Sequence, residues 1–340
     1  MALGRLPKIA LVLVGLVAVV IGVGAWYLRV DDIPKELPPV VGDPMTIDIP
    51  AAAEQAPQLR LADLNGKTAF FIVFSPNMDD KKEGQQLNRA LNRWVFPDST
   101  EGHIVADADG FKLFEGKIKE FVGRFTGEMR FPLHIDYDGV FRTTFALTKG
   151  HHGFVVLGKD GAILERTSGG AEGADLERVR EMLGAQEPPV GPPIPAFEIG
   201  DLSSSSCGGG TPCTIIFLGK DVAKTDVPGV DDGFEGEDEE AMDRLQDPSI
   251  RMVSTALKAK LGKAKGVIVG RTPGLEFPTW LRVDEDADGR AAFELGPSDA
   301  AFVVIDDQGR VVMLERGAVP IYKWGRAADV LGVELDEDDD

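Results

Sequence analysis

Two cysteines, Cys207 and Cys213, are the only thiols in the chain, and Gly208-Gly209-Gly210-Thr211-Pro212 lies between them. Three consecutive glycines let the backbone curl enough to bring two sulfurs into bonding range. The pair therefore reads as a structural disulfide closing a small loop. A labile redox couple is the alternative, although nothing cationic flanks either thiol to stabilise a thiolate. Two thiolates alone would leave a zinc or copper site half-filled. His151-His152 is the one adjacent histidine pair, with His103 and His134 elsewhere in the same half of the chain. Neighbours on an extended strand project to opposite faces, so one metal would not easily take both imidazoles, and the flanking Gly150 and Gly153 read as a loop. Asp284-Glu285-Asp286-Ala287-Asp288-Gly289 opens like a calcium loop, with Asp284, Asp286 and Asp288 at alternate positions. Its twelfth position is Leu295, where a bidentate Glu is needed, so turn chemistry explains most of the motif.

The elements that must position these groups begin with residues 9–28, which contain no charged residue. Twenty residues at 1.5 Å each span about 30 Å, the thickness of a bilayer's hydrocarbon core. Arg5 and Lys8 precede the run, and Asp31 and Asp32 follow Arg29, so the positive-inside bias places the N-terminus in the cytoplasm and the bulk outside. Trp26 and Tyr27 fall where an interfacial aromatic belt would. A cleaved signal peptide ending near Val23-Gly24-Ala25 is the competing reading, against which the run is long. The expectation is a single-pass inner-membrane protein with its bulk on the periplasmic, extracytoplasmic side. The formal net charge of −20 argues against nucleic acid and anionic lipid headgroups as partners.

Six segments follow: an anchor with its cytoplasmic stub at 1–30, a Pro-rich spacer at 31–55, a domain at 56–186, a Pro-rich linker at 187–195, a second domain at 196–333 and an acidic tail at 334–340. The run 231–240 is a second solvated acidic stretch. The two domains repeat one another. Residues 69–74 and 214–218 are apolar runs of buried-strand length, and 81–95 carries Leu87, Leu91, Trp94 and Val95 at helical spacing. Phe131-Pro132 with Asp136-Tyr137-Asp138-Gly139 is matched by Phe277-Pro278 with Asp286-Ala287-Asp288-Gly289, and Phe145 and Leu147 by Phe293 and Leu295. The stretches 154–161 and 302–309 each read as a strand closing in a turn that leads to a second strand, and an amphipathic helix ends each half. The fold class is α/β: a transmembrane helix, then two tandem domains, each a mixed central sheet flanked by helices.

Residues 131–139 resemble the "FPLLxDxDG" segment, and 154–161 the "TFLIDxDG" hairpin, of the thioredoxin-like superfamily, specifically its membrane-anchored extracytoplasmic and peroxiredoxin-like members. The resemblance covers about 59–183 and, less closely, 197–331. It implies a Cys-x-x-Cys just after the first central strand, where the helix N-terminus lowers a thiol pKa. Here that place holds Asn77, Met78, Asp79 and Asp80 in the first domain, and Lys220 and Asp221 in the second. The cis-proline facing those cysteines is replaced by His152 and by Ala300. A dithiol mechanism at the usual site is therefore excluded. The expected function is binding or scaffolding of a protein or peptide partner, without a cofactor. The alternatives are a thiol-disulfide oxidoreductase working through Cys207 and Cys213, and a copper carrier using His151, His152 or the cysteines.

Overall fold

The computed structural model describes residues 31–51, 57–74, 85–112, 115–116, 118–119, 129–169, 174–207, 209–228, 244–260, 264–285, 289–332 and 334–335. The expected anchor, residues 77–80, Asp286, Asp288 and the acidic runs at 231–240 and 336–340 lie outside these. Among the described residues no helix is long and apolar enough to cross a membrane. The chain divides between Glu187 and Pro188 into two compact units.

In the first unit, β1 (Thr68–Phe74) is the apolar run expected of a strand covered on both faces. Its side chains alternate: Phe70 and Ile72 enter one core, and Ala69, Phe71 and Val73 enter the other. Four further strands follow: β2 (Thr100–Asp107), β3 (Leu133–Asp136), β4 (Gly153–Leu157) and β5 (Ile163–Ser168). They complete a five-stranded sheet in the order β3-β2-β1-β4-β5. β1 runs parallel to β2 and β2 to β3, whereas β4 is antiparallel to β1 and to β5. Helix α1 (Gln85–Arg93) buries Leu87, Ala90 and Leu91 against one face, joined by Val179 of α3 (Ala174–Met182). The short α2 (Val140–Thr144) puts Phe141, with Phe145 just beyond it, on the other.

The second unit repeats the plan with β6 (Cys213–Phe217), β7 (Lys265–Val269), β8 (Leu281–Asp284), β9 (Ala301–Ile305) and β10 (Val311–Arg316), in the order β8-β7-β6-β9-β10. Its helices are α4 (Pro248–Lys258) and α5 (Ile321–Leu331). Each unit is thus a mixed α/β sheet of thioredoxin-like type.

The repetition extends to irregularities. Both sheets shift register at one place in their hairpins, between Val156 and Leu157 and between Val304 and Ile305. Among the described residues, the non-glycine residues with positive φ are Ala146 at 48° and Glu294 at 56°. Each is followed by a leucine whose N–H bonds to the carbonyl five residues back, Leu147 on Arg142 at 2.9 Å and Leu295 on Arg290 at 3.0 Å.

The Pro-rich segments differ from expectation. Residues 31–51 do not stand off as a spacer but lie on the first unit: the Val41 amide donates to Thr144, and Arg166 donates to the Pro38 carbonyl at 2.7 Å. Leu37 and Met45 pack against the core. The joint at 187–195 is pinned at both ends. Glu187 accepts from the Trp94 indole at 3.1 Å and from Arg93 at 3.0 Å, while Val311 donates to Pro192 and Ile194 to Gly309, each at 3.0 Å. Proline cannot donate, but its carbonyl still accepts, so a proline-rich composition does not by itself keep a segment in solvent.

A left-handed conformation costs a β-carbon-bearing residue roughly 1–2 kcal/mol, which glycine's greater unfolded-state freedom offsets only in part. Ala146→Gly and Glu294→Gly are each expected to stabilise their unit by about 0.5 kcal/mol, read as a rise in the urea midpoint without a change in slope.

Candidate functional site: a thiol-free cleft at the end of the central strand

The C-terminal ends of parallel strands leave a crevice in open α/β sheets, and in the second unit that crevice is a cleft of about 380 Å³. Its walls come from four places: Gly219 and Lys220 just beyond β6, Asp247 and Ser249 at the start of α4, Ala300 before β9, and Arg316 at the end of β10. Lys220, Ala300 and, next to the lining, Asp221 are the positions where the resemblance places the dithiol and the cis-proline. The described residues contain no cis peptide bond.

A polar frame holds the walls. The Gly219 amide donates to the Ser249 hydroxyl at 2.9 Å, and Ser249 is buried. Asp247 caps α4, accepting from the amides of Ser249 at 2.9 Å and Ile250 at 3.1 Å, and its other oxygen pairs with the Lys220 ammonium at 3.0 Å. Arg290 bridges two walls, donating to the Leu218 carbonyl at 2.5 Å and the Asp299 carbonyl at 2.6 Å, with its guanidinium over the Phe217 ring. The Gly317 amide closes the last wall on Ala300 at 2.8 Å. Glycine is required at 219, since a β-carbon there would lie 2.7 Å from the Ser298 carbonyl oxygen.

The first unit has the matching bond at the matching place: Gly169 donates to the His152 carbonyl at 2.7 Å. His152 and Ala300 thus accept the corresponding backbone bond in the two units. The His152 ring is buried, edge-on to Phe74 at 4.8 Å between centroids. His151 instead turns its Nε2 to the Asp31 carbonyl at 2.8 Å, so the two adjacent imidazoles face different surroundings. Asp284 ends β8, its carbonyl accepting from Gly270 at 3.1 Å. Among the described residues no cluster of three or more His, Cys, Asp or Glu is placed to hold a metal.

Cys207 and Cys213 form a disulfide. Both residues are buried, at 4% and 0% exposure, and Cys213 opens β6 at the end opposite the cleft. Six residues of extended chain lie from Cys213 to Gly219, about 20 Å. An oxidised pair so placed is closed to attack by a macromolecular thiolate.

His103 and His134, 31 positions apart, carry no pairing signal in the sequence. They lie on β2 and β3, where Val105 stands opposite His134, so period-two alternation puts both rings on one face. Nδ1 of His103 is 3.1 Å from Nε2 of His134, inside the protein and beside Phe71. Burial lowers both pKa values to about 4; Glu101 opposes this at His103, and at His134 the neighbouring His103 adds to it. One ring donates and the other accepts, so a doubly protonated pair would set two N–H groups against each other. Burial also raises the pKa of Asp136 on the same face, opposed by the amides of Phe141 and Val140.

No protein-family model matches the sequence, and no curated protein is similar to it. Solved structures similar to the chain include a secreted Mycobacterium tuberculosis disulfide oxidoreductase homologous to Escherichia coli DsbE (14% identity, TM-score 0.29, covering 41% of this chain and 96% of that one). StoA from Bacillus subtilis is similar at 14% identity and TM-score 0.30, covering 42% of this chain and 98% of its own. BsSco, a member of the Sco family of cytochrome c oxidase assembly proteins, is similar at 11% and 0.30, covering 45% and 96%.

Because the folded pKa values of His103 and His134 are depressed, the unfolded chain binds more protons below pH 6.5, and stability falls as pH drops from about 6.5 to about 4. The loss is at most about 3 kcal/mol per imidazole, with the raised Asp136 acting in the opposite sense at the acid end. Urea unfolding of the first unit at pH 7 and pH 4.5 measures it, and His103→Leu combined with His134→Leu is expected to flatten the profile.

Proposed function

We propose that this chain is a membrane-tethered extracytoplasmic binding protein that has kept the thioredoxin-like groove and abandoned its thiol chemistry. The observation carrying this reading is the cleft of the second unit, which Ser249, Asp247, Lys220 and Arg290 hold open without a cysteine. The groove is open to a protein or peptide partner, for which Arg316, Lys220 and the backbone around Ser298 supply polar contacts. The apolar run at 9–28 serves as the tether in this reading.

An oxidoreductase working through Cys207 and Cys213 is disfavoured by their burial and by their place at the wrong end of β6. A copper carrier is disfavoured by the divergence of His151 and His152, the first of which is engaged by the Asp31 carbonyl.

Two experiments test these statements. Ser298→Trp fills the cleft from an exposed position and is expected to change stability by less than about 0.5 kcal/mol. It should abolish a defined protein adduct obtained when the tagged full chain is crosslinked in native membranes; an adduct that survives the substitution would move the binding surface elsewhere. In the second experiment, the exterior units are expected to be inactive in insulin reduction, and the native disulfide to resist mild reductant until denaturant is added. Replacing both cysteines by serine should cost about 2 kcal/mol, the loop-closure contribution of so short a ring. Insulin reduction that disappears with Cys207→Ser would restore the oxidoreductase.

A further inference from the structure

The chain is attached to the first unit almost as soon as it leaves the proposed anchor. The Asp31 amide donates to the Lys149 carbonyl at 3.1 Å, and the Asp31 carbonyl accepts from His151 Nε2 at 2.8 Å. Further along, Val41 donates to Thr144 at 2.9 Å and Arg166 holds the Pro38 carbonyl at 2.7 Å, so the segment remains docked rather than touching once. The loop it meets precedes β4 at the end of the sheet where β1 finishes, since Val73 pairs with Gly153. That end carries His152, the counterpart of Ala300 in the cleft. From Leu28 to Asp31 the backbone can reach no more than about 10 Å even when fully extended.

Resting on the tether proposed above, we infer that the first unit is held with its His151-His152 end toward the bilayer, within about 10 Å of it, and with its β4–β5 turn pointing away. A partner of that end must then present its contact surface at the membrane, as the extracytoplasmic face of a membrane-embedded protein does. The lipid itself is a poor ligand for it: Asp31 and Asp32 sit at the point of attachment in a chain of net charge −20, which anionic headgroups repel.

The full chain reconstituted in vesicles containing a headgroup-nitroxide lipid provides the test. The described residues include no free cysteine, and Cys207 and Cys213 are joined, so one engineered thiol takes a fluorophore selectively. Lys149→Cys places it on the docked loop, and Lys159→Cys places it beyond the far end of β4, about 17 Å along the strand. Quenching is expected to be at least threefold stronger at 149. Thr143→Cys, exposed beside the Val41 contact, should behave like 149 and guards against a disturbed loop. Inserting twenty Gly and Ser residues between Val30 and Asp31 should lower the signal at 149 to that at 159. If carbonate washing strips the protein from the vesicles, the tether fails and the orientation with it. Retention with equal or reversed quenching would overturn the orientation and leave the tether standing.

Discussion

A strand buried on both faces is the constraint on which each unit is built. From Ala69 to Val73 every side chain of β1 is buried, and the residues alternate between two separate cores. Fully burying one phenylalanine is worth roughly 1.5–3 kcal/mol, so Phe70 and Phe71 commit the chain to layers on both sides of the sheet. The same commitment fixes where a site can be. A strand paired on both edges and covered on both faces leaves only its ends open, and the C-terminal end is where parallel strands leave a crevice. In the second unit β6 obeys this with the disulfide at its start and the cleft beyond its finish.

The two copies diverge most informatively at one arginine. Arg142 and Arg290 stand at equivalent positions, each accepting at its carbonyl the amide of the leucine five residues on. In the first unit the guanidinium of Arg142 reaches Asp107 at 2.7 Å and Asp109 at 3.1 Å. The place of Asp107, two residues beyond the Val105 that pairs with Val73, is taken in the second unit by Arg271, two residues beyond the Val269 that pairs with Phe217. Arg290 there turns to the carbonyls of Leu218 and Asp299 and braces the cleft. An acid in one unit and an arginine in the other, just beyond the neighbouring strand, thus accompany a strand-end ion pair in the first unit and a braced groove in the second.

The duplicated plan was legible because apolar runs, turn residues and helix periodicity recur in both halves, and these report burial directly. Site geometry was less so. Lys220 and Ala300 could be placed by the resemblance, but Ser249 and Arg290, which hold the walls, reach them through tertiary contacts that leave no local pattern. His103 and His134 are 31 positions apart and meet only because β2 and β3 are parallel neighbours in a particular register. The segment at 31–51 departs from what its composition implies for a chemical reason. Its prolines read as an extended spacer, yet the carbonyls of Leu37 and Pro38 are free to accept from Arg166.

The electrostatics of the cleft differ from those that a reactive thiol needs. A thiolate at a helix N-terminus is stabilised by unsatisfied amides and the positive end of the helix dipole. In α4 those amides are already engaged: Ser249 and Ile250 donate to the Asp247 carboxylate, which in turn pairs with Lys220. A negative charge already occupies the place where a second would have to form. A sulfur introduced at Lys220 would lose the ammonium and face Asp247 alone, which would raise its pKa. The helix start of the second unit is thus organised around an ion pair, within the cross-braced frame of the cleft.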